Sequence, residues 1–281
     1  MTEKDVLAQD SAFCCPVCRL PLKREKRRLC CAAGHSFDLA SQGYVNLLTA
    51  KRRHSAMPGD DKGMVAARRA FLQAGWYQPF SDRLNQLAEE VAALEHRPLL
   101  LDAGCGEGYY TGRLAQALGD RVRIAAFDIS KSAVQAAAKS CSTVEFAVAS
   151  AFSIPVADGA ADCLVNIFAP MAEREFARVL RCGGRMIYAV PGPRHLFGLK
   201  EILYEKPYEN PVRQVEYQGF RFLDRVAVRS RCVLDTQQEI KALFAMTPYY
   251  WKTPREGAQR LETCDRLETE IEFDFLLYER I

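Results

Sequence analysis

Apolar positions between residues 99 and 190 repeat in two rhythms. Runs of strand length at 99–102, 121–127, 144–148, 161–168 and 185–190 alternate with stretches at 113–118, 131–139 and 171–180 of helical composition. Continuous apolar runs suit strands buried on both faces, and a spacing of three to four suits helices. An amphipathic pattern at 79–95 leads into the first run. Strands alternating with helices at this rhythm predict a parallel, doubly wound α/β sheet. Beyond residue 195 the rhythm changes. Phe220 to Leu234 and Glu270 to Arg280 read as long strands separated by a helix from Asp235 to Ala245, which adds an antiparallel edge to the parallel sheet.

The first run closes in Asp102-Ala-Gly-Cys-Gly-Glu-Gly-Tyr-Tyr-Thr111. Its glycines, Gly104, Gly106 and Gly108, alternate, unlike the Gly-x-Gly-x-x-Gly turn that brings backbone against a pyrophosphate. An acid two residues ahead of the first glycine suits a cation better than a phosphate, and S-adenosylmethionine carries an ammonium and a sulfonium. Asp128, 24 residues beyond Gly104, ends the second strand, where an acid accepts hydrogen bonds from ribose hydroxyls; Ser130 is left to cap the next helix. Ala149, Ser150 and Phe152 follow the third strand and are expected to flank the adenine. Asn166, Phe168, Ala169 and Pro170 end the fourth, where the methyl acceptor is expected. The Asn/Asp-Pro-Pro-aromatic box of exocyclic amino methylation is absent there, and so is a Pro-Cys nucleophile, which favours a ring nitrogen or oxygen as acceptor. Methyl transfer from a sulfonium is an in-line displacement that needs alignment and little covalent help. His195 is open to ligand contact, proton handling or packing, and no residue is singled out as a catalytic base.

Upstream, Cys15-x-x-Cys18 and Cys31-x-x-x-His35 flank the basic segment Pro21-Leu-Lys-Arg-Glu-Lys-Arg-Arg-Leu29. Two such pairs close a tetrahedral Cys3His shell around zinc, and a closed shell is structural. Cys14 and Cys30 adjoin the ligands and are expected to be spectators. Residues 14–53 hold nine Lys/Arg against two acids, so Arg27, Arg28, Arg52 and Arg53 are candidates to meet RNA phosphates, with Arg68 of a following helical stretch. Residues 1–75 carry a net charge of +6 and residues 76–281 a net −3, so a polyanion meets the amino-terminal part first. The expected organisation is a flexible tail at 1–13, a zinc-binding RNA-recognition module at 14–55, a linker and helix at 56–78, and a methyltransferase domain at 79–281. Tyr77 is expected on a loop just ahead of that domain, free to cover a cofactor or to pack. Eleven scattered cysteines, an odd number without a secretory signal or a membrane-length apolar run, indicate a reducing, cytoplasmic setting.

Taken together, the Cys-Pro-x-Cys ribbon, Gly34-His-Ser-Phe-Asp38, Gly43-Tyr-Val-Asn-Leu-Leu48, Ala67-Arg-Arg-Ala-Phe-Leu72, Gly75-x-Tyr77, the glycine turn and Pro191-Gly-Pro-Arg-His-Leu196 resemble the RlmA family of 23S ribosomal RNA guanine-N1 methyltransferases. The resemblance implies a class I, Rossmann-like methyltransferase fold behind a zinc ribbon, acting on N1 of guanine 745 or 748 in the loop of hairpin 35, the latter class being linked to macrolide resistance. It also implies a homodimer. By position it assigns zinc to Cys15, Cys18, Cys31 and His35, and S-adenosylmethionine to Tyr77, the turn from Gly106 through Glu107, Gly108 and Tyr109 to Tyr110, Asp128 and His195. Two other functions use the same residues: methylation of a small molecule, and zinc-dependent RNA binding on a fold that has lost activity.

Overall fold

Leu100 and Leu101 face opposite ways in a strand, and both are wholly buried, so the sheet they belong to is covered on both sides. The computed structural model describes residues 10–49, 62–93, 96–212 and 216–281. Four short strands come first: β1 (Asp10–Cys14), β2 (Pro21–Glu25), β3 (Arg28–Cys30) and β4 (Ser36–Asp38), an antiparallel sheet in that order. Residues 10–13 are thus strand rather than tail, because Phe13 is buried and the Asp10 carbonyl accepts from Arg123 at 2.5 Å.

The large sheet has eight strands. Alternating with helices α1 (Lys62–Gln73), α2 (Gln78–Ala92), α3 (Tyr109–Leu118), α4 (Lys131–Ser140) and α5 (Glu173–Val179) are β5 (Val45–Asn46), β6 (Leu99–Ala103), β7 (Arg123–Asp128), β8 (Glu145–Val148), β9 (Ala161–Ile167) and β10 (Leu180–Pro191). The chain then adds α6 (Phe197–Leu203), β11 (Phe220–Leu234), α7 (Gln237–Ala245), α8 (Tyr249–Lys252), α9 (Arg255–Glu262) and β12 (Leu267–Arg280). The order β11-β12-β10-β9-β6-β7-β8-β5 has six parallel strands and an antiparallel edge of β12 and β11. The chain runs outward from β6 through β7 to β8 and returns to place β9 on the other side of β6. Ligands of doubly wound sheets bind at such a reversal, beyond the carboxyl ends of the strands.

The class I fold with its antiparallel edge is as expected. Three details differ. Cys182-Gly-Gly184 does not precede the fifth strand but lies within β10 as an irregularity between Leu180 and Arg185, which Gly183 permits at φ +76°. Tyr77 does lie in the turn between α1 and α2, but at the N-cap position of α2 it is buried rather than free. Helices α6, α8 and α9 were not anticipated, being short, with a glycine inside α6 and α9 and a proline just ahead of α8 and α9.

One face of the sheet packs Leu100, Ile124, Phe146 and Val165 under α2, α3, α4 and α7. The other packs Leu101, Ala125, Ala147 and Leu164 with Phe176 of α5, and this cluster continues into Phe13, Leu22 and Leu29 of the small sheet. The contact is polar as well: Ser11 donates to Glu145 at 2.7 Å, Arg19 to the Ile154 carbonyl at 2.9 Å, and the Cys14 amide to the Pro155 carbonyl at 2.7 Å. Strand β5 joins the large sheet beside β8, pairing Val45 with Ala147 and Asn46 with Val148. Among the described residues no helix is long and apolar enough to cross a membrane.

Candidate functional site

Two tight turns build the first centre. After β1 the Cys15 carbonyl accepts the Arg19 amide, and after β3 the Cys31 carbonyl accepts the Gly34 amide, so each turn presents two side chains inward. The ligand atoms of Cys15, Cys18, Cys31 and His35 all lie within 4.8 Å of one another. Zinc–sulfur bonds of about 2.3 Å and zinc–nitrogen bonds of about 2.0 Å give tetrahedral edges of about 3.8 Å between thiolates and about 3.6 Å from thiolate to imidazole. The Cys18 and Cys31 sulfurs are 3.6 Å apart, and Cys31 Sγ is 3.4 Å from His35 Nδ1. Donor chemistry and spacing therefore fit zinc. Burial opposes ionisation of Cys31, but hydrogen bonds with the His35 ring and backbone, Cys18 and the Ala33 backbone hold its thiol down at about 6. Cys14 and Cys30 stand outside this group: Cys14 is buried, and Cys30 Sγ turns to Ser36 Oγ at 3.5 Å.

The second centre lies at the carboxyl ends of β6, β7 and β9. Asp102 is wholly buried; its Oδ2 accepts from the Thr111 hydroxyl at 2.6 Å, and its Oδ1 has no donor. Burial, with a smaller contribution from Asp128 and against the Thr111 hydrogen bond, pushes its pKa up to about 7. A buried oxygen without a donor is costly, so this carboxylate fits a cationic N–H group such as the ammonium of S-adenosylmethionine. Asp128 shapes the turn itself, accepting the Gly106 amide at 3.0 Å and the Ser130 amide at 2.8 Å.

The three glycines do different work. A Cβ on Gly104 would overlap that of Ala169, and one on Gly108 would stand 2.7 Å from Ala137 Cβ in α4; a Cβ on Gly106 would meet only Arg68, at 3.8 Å. The first glycine admits the segment after β9, the last admits a neighbouring helix, and the middle one leaves the mouth of the turn open. Glu107 is buried beside it, its carboxyl pushed up by burial against the charges of Arg69 and Arg68. Tyr109 and Tyr110 begin α3 with their rings 5.1 Å apart.

Ser150 lies two residues beyond β8 and accepts the Phe152 amide at 3.3 Å, and the Ala149 amide donates to the Asp128 carbonyl, which brings the expected adenine segment beside Asp128. Phe168 is a non-glycine residue at φ +56°, held by its amide on the Ala189 carbonyl and by Asn166, whose Nδ2 donates to the Pro170 carbonyl at 3.4 Å. Its ring is 44% exposed and stacks at 5.7 Å on Phe80, with Phe273 at 5.0 Å. A backbone in this region costs about 1–3 kcal/mol and persists where surroundings enforce it, commonly at binding sites. Asn166 Oδ1, also buried, has no donor.

His195 is buried against Phe273, with ring centres 4.4 Å apart. Burial and then the Lys200 charge depress its pKa to about 3, so its ring stays neutral at physiological pH and is not a proton carrier there. Its Nδ1 accepts the Glu272 amide at 3.3 Å, which assigns the ring proton to Nε2, 3.4 Å from the Tyr77 hydroxyl. Tyr77 Oη therefore accepts from His195 and keeps its own proton to donate.

The candidate RNA residues do not share one surface. Arg27 and Arg28 are exposed on the β2–β3 hairpin, Arg28 paired with Glu25 at 3.1 Å, whereas Arg68 stands over the glycine turn. Arg52 and Arg53 lie outside the described residues. Thr111, Phe80 and Phe273 were missed from sequence. A hydroxyl in the first turn of the helix after the glycines was a usable hint for Thr111, while Phe273 is placed only by the register of β12.

Residues 13–56 match the family described as RlmA, N-terminal, a zinc ribbon, and residues 100–184 match a methyltransferase domain family. The chain is 34% identical over 253 residues to the 23S rRNA (guanine(748)-N(1))-methyltransferase of Streptomyces fradiae, covering 88% of this chain and 89% of that one. A protein of Micromonospora griseorubida, provisionally assigned as a 23S rRNA (guanine-N(1)-)-methyltransferase, is 36% identical over 85% of this chain and 86% of its own. One of Bacillus subtilis with the same provisional assignment is 29% identical over 95% and 96%.

Proposed function

This chain belongs to the RlmA family of 23S rRNA guanine-N1-methyltransferases, and from that premise we propose that it transfers a methyl group from S-adenosylmethionine to N1 of an unpaired guanine in a hairpin loop of 23S rRNA, the sulfonium–methyl bond breaking to leave S-adenosylhomocysteine and the N1 proton passing to solvent. The observation that carries the cofactor half is the buried Oδ1 of Asp102, an acceptor without a donor at the end of the strand that leads into the glycine turn. Bound S-adenosylmethionine supplies an electrophilic methyl carbon on its sulfonium.

The protein's own groups divide the remaining work. Asp102 holds the donor's ammonium, and Asp128, oriented by the Gly106 and Ser130 amides, accepts its ribose hydroxyls. Ser150 borders the adenine. Phe168, with Pro170 behind it, offers an exposed ring to the guanine, because stacking on an aromatic face is how unpaired bases are commonly held. N1 is engaged in Watson–Crick pairing, so a loop guanine reaches the cleft at low cost whereas a paired one must first be extruded. Cys15, Cys18, Cys31 and His35 bind structural zinc, and Arg27 and Arg28 on the hairpin they brace contact phosphates.

The test is mass-spectrometric mapping of a 23S rRNA hairpin transcript incubated with zinc-loaded protein and S-adenosylmethionine. N1-methylguanine in the loop is the expected product; a folded protein that binds the donor and leaves every guanine unmodified overturns the proposal. The map also chooses between guanines 745 and 748.

Asp102 makes donor binding depend on pH. Its pKa of about 7 means that a cation binds a mostly protonated site at pH 6 and must expel a proton. Affinity therefore rises from pH 6 to pH 7.5, and falls again only as the donor's α-amino group, of reference pKa about 7.7–8.0, loses its charge. Calorimetry in buffers of different ionisation enthalpy is expected to show about one proton released at pH 6, and the Asp102→Asn variant to bind weakly with no release. For the free protein the sign is opposite: a carboxyl pKa raised on folding contributes stability at low pH that is lost as pH rises toward 7.

A further inference from the structure

Two runs of rings, one from Tyr250 and one from its neighbour Tyr249, lead to solvent. Phe244 of α7 packs on Tyr250 at 5.5 Å, Tyr250 on Trp251 at 4.9 Å, and Tyr204 bridges Tyr249 at 6.3 Å to Tyr208 at 5.8 Å. The outermost members are open to water: Trp251 is 67% exposed, Tyr208 53% and Tyr250 46%. Among the described large exposed hydrophobics between α7 and β12 none is aliphatic, while Val212, 60% exposed, follows Tyr208 by four residues. The adjoining cations are Lys252 and Arg255, both exposed and without an ion pair among the described residues; the adjoining acids are Glu256 and Glu209, the latter paired with Arg194.

The platform is held in place. Lys200 is wholly buried, and its Nζ donates to the Tyr208 carbonyl at 2.9 Å and to Asn210 Oδ1 at 2.8 Å, while lying 4.5 Å from the Tyr208 ring. Asn210 in turn donates to the Gly192 carbonyl at 2.8 Å, on the turn that carries His195. Its position is fixed relative to the cofactor turn by Arg68. One guanidinium nitrogen is 3.8 Å from where a Cβ on Gly106 would stand, and the other donates to the Met246 carbonyl at 3.5 Å, three residues before Tyr249. A single side chain thus spans from the cofactor turn to the entry of α8.

We propose that Trp251, Tyr250 and Tyr208 form a stacking platform for unpaired RNA nucleotides flanking the target guanine, with Lys252 and Arg255 meeting their phosphates. The proposal rests on the RNA-methyltransferase reading above. Flat rings interleaved with cations suit nucleotides, since every base has a π face and every linkage a negative charge. A docked protein would call for aliphatic area, and around Tyr250 and Trp251, between α7 and β12, the described large exposed hydrophobics are all aromatic.

Steady-state methylation of the hairpin transcript by the full zinc-loaded chain tests it. Trp251→Ala is expected to raise the KM for RNA about tenfold, within the range of base–aromatic stacking, with kcat within twofold and donor affinity by calorimetry unchanged. Trp251→Phe is expected to recover most of the loss. RNA binding is expected to quench tryptophan emission in the wild type and not in Trp251→Ala. An unchanged KM in Trp251→Ala, with equal quenching in both proteins, overturns the platform and leaves the surface to a protein partner. A wild type that methylates no RNA overturns the function itself, a distinguishable result.

Discussion

Replacing Gly104 with alanine is expected to weaken S-adenosylmethionine binding by at least thirtyfold and to reduce methylation with it. Gly104 sits at φ +91°, and a Cβ there would overlap the Cβ of Ala169. The strained backbone costs about 1–3 kcal/mol and overpacking about another 1–3 kcal/mol. The relief available is retreat of residues 168–170, which carry Phe168, or of the turn that carries the Gly106 amide held by Asp128. Either movement spoils the cleft. Gly112→Ala is the control: nothing lies within 4 Å of its added Cβ, so donor binding stays at the wild-type value. Titration calorimetry on the two variants measures the contrast, and equal affinities would show that the turn tolerates the displacement.

Cys31→Ala is expected to abolish zinc binding and RNA methylation while sparing the methyl-donor site. Cys31 contacts both Cys18 and His35, so its loss opens the shell from two sides. Structural zinc in small modules is bound with about 10–16 kcal/mol of apparent free energy, most of which is folding energy. Metal analysis should fall from one zinc per chain to background, and hydrogen-exchange protection should vanish from residues 10–39 and persist in β6, β9 and β10. Methylation of the transcript should fall at least a hundredfold with donor affinity held within tenfold. Cys30→Ala should retain zinc, because that thiol turns outward to Ser36.

The regular part of the fold was legible because each parallel strand is a short apolar run bounded by a turn, and Phe220–Leu234 was read to the residue. The zinc cluster was equally legible, since ligand spacing in a short turn fixes geometry almost alone. What escaped was whatever depends on distant parts of the chain. Asp102 was read as an acid awaiting a cation, but its hold on Thr111 and its raised pKa come from burial under α3. His195 left ligand contact, proton handling and packing open, and the β12 residues Glu272 and Phe273, 77 and 78 positions away, decide that it is neutral and packed. Arg68 was grouped with the basic residues of the amino-terminal part by composition, yet the packing of α1 sets it over the donor turn. Charge counts give sign along the chain and say nothing of which face a helix turns inward.

Strand β5 is only two residues long, yet it occupies a vulnerable place. Without it β8 would be the outer strand of the large sheet, and an outer strand offers a row of unpaired amides and carbonyls to any neighbouring chain. The Leu47 amide, donating to the Val148 carbonyl, extends the cover by one more bond. These residues follow the ribbon, with Leu39 bridged to Val45 between them, so removing zinc is expected to uncover β8 and to lower the solubility of the whole chain.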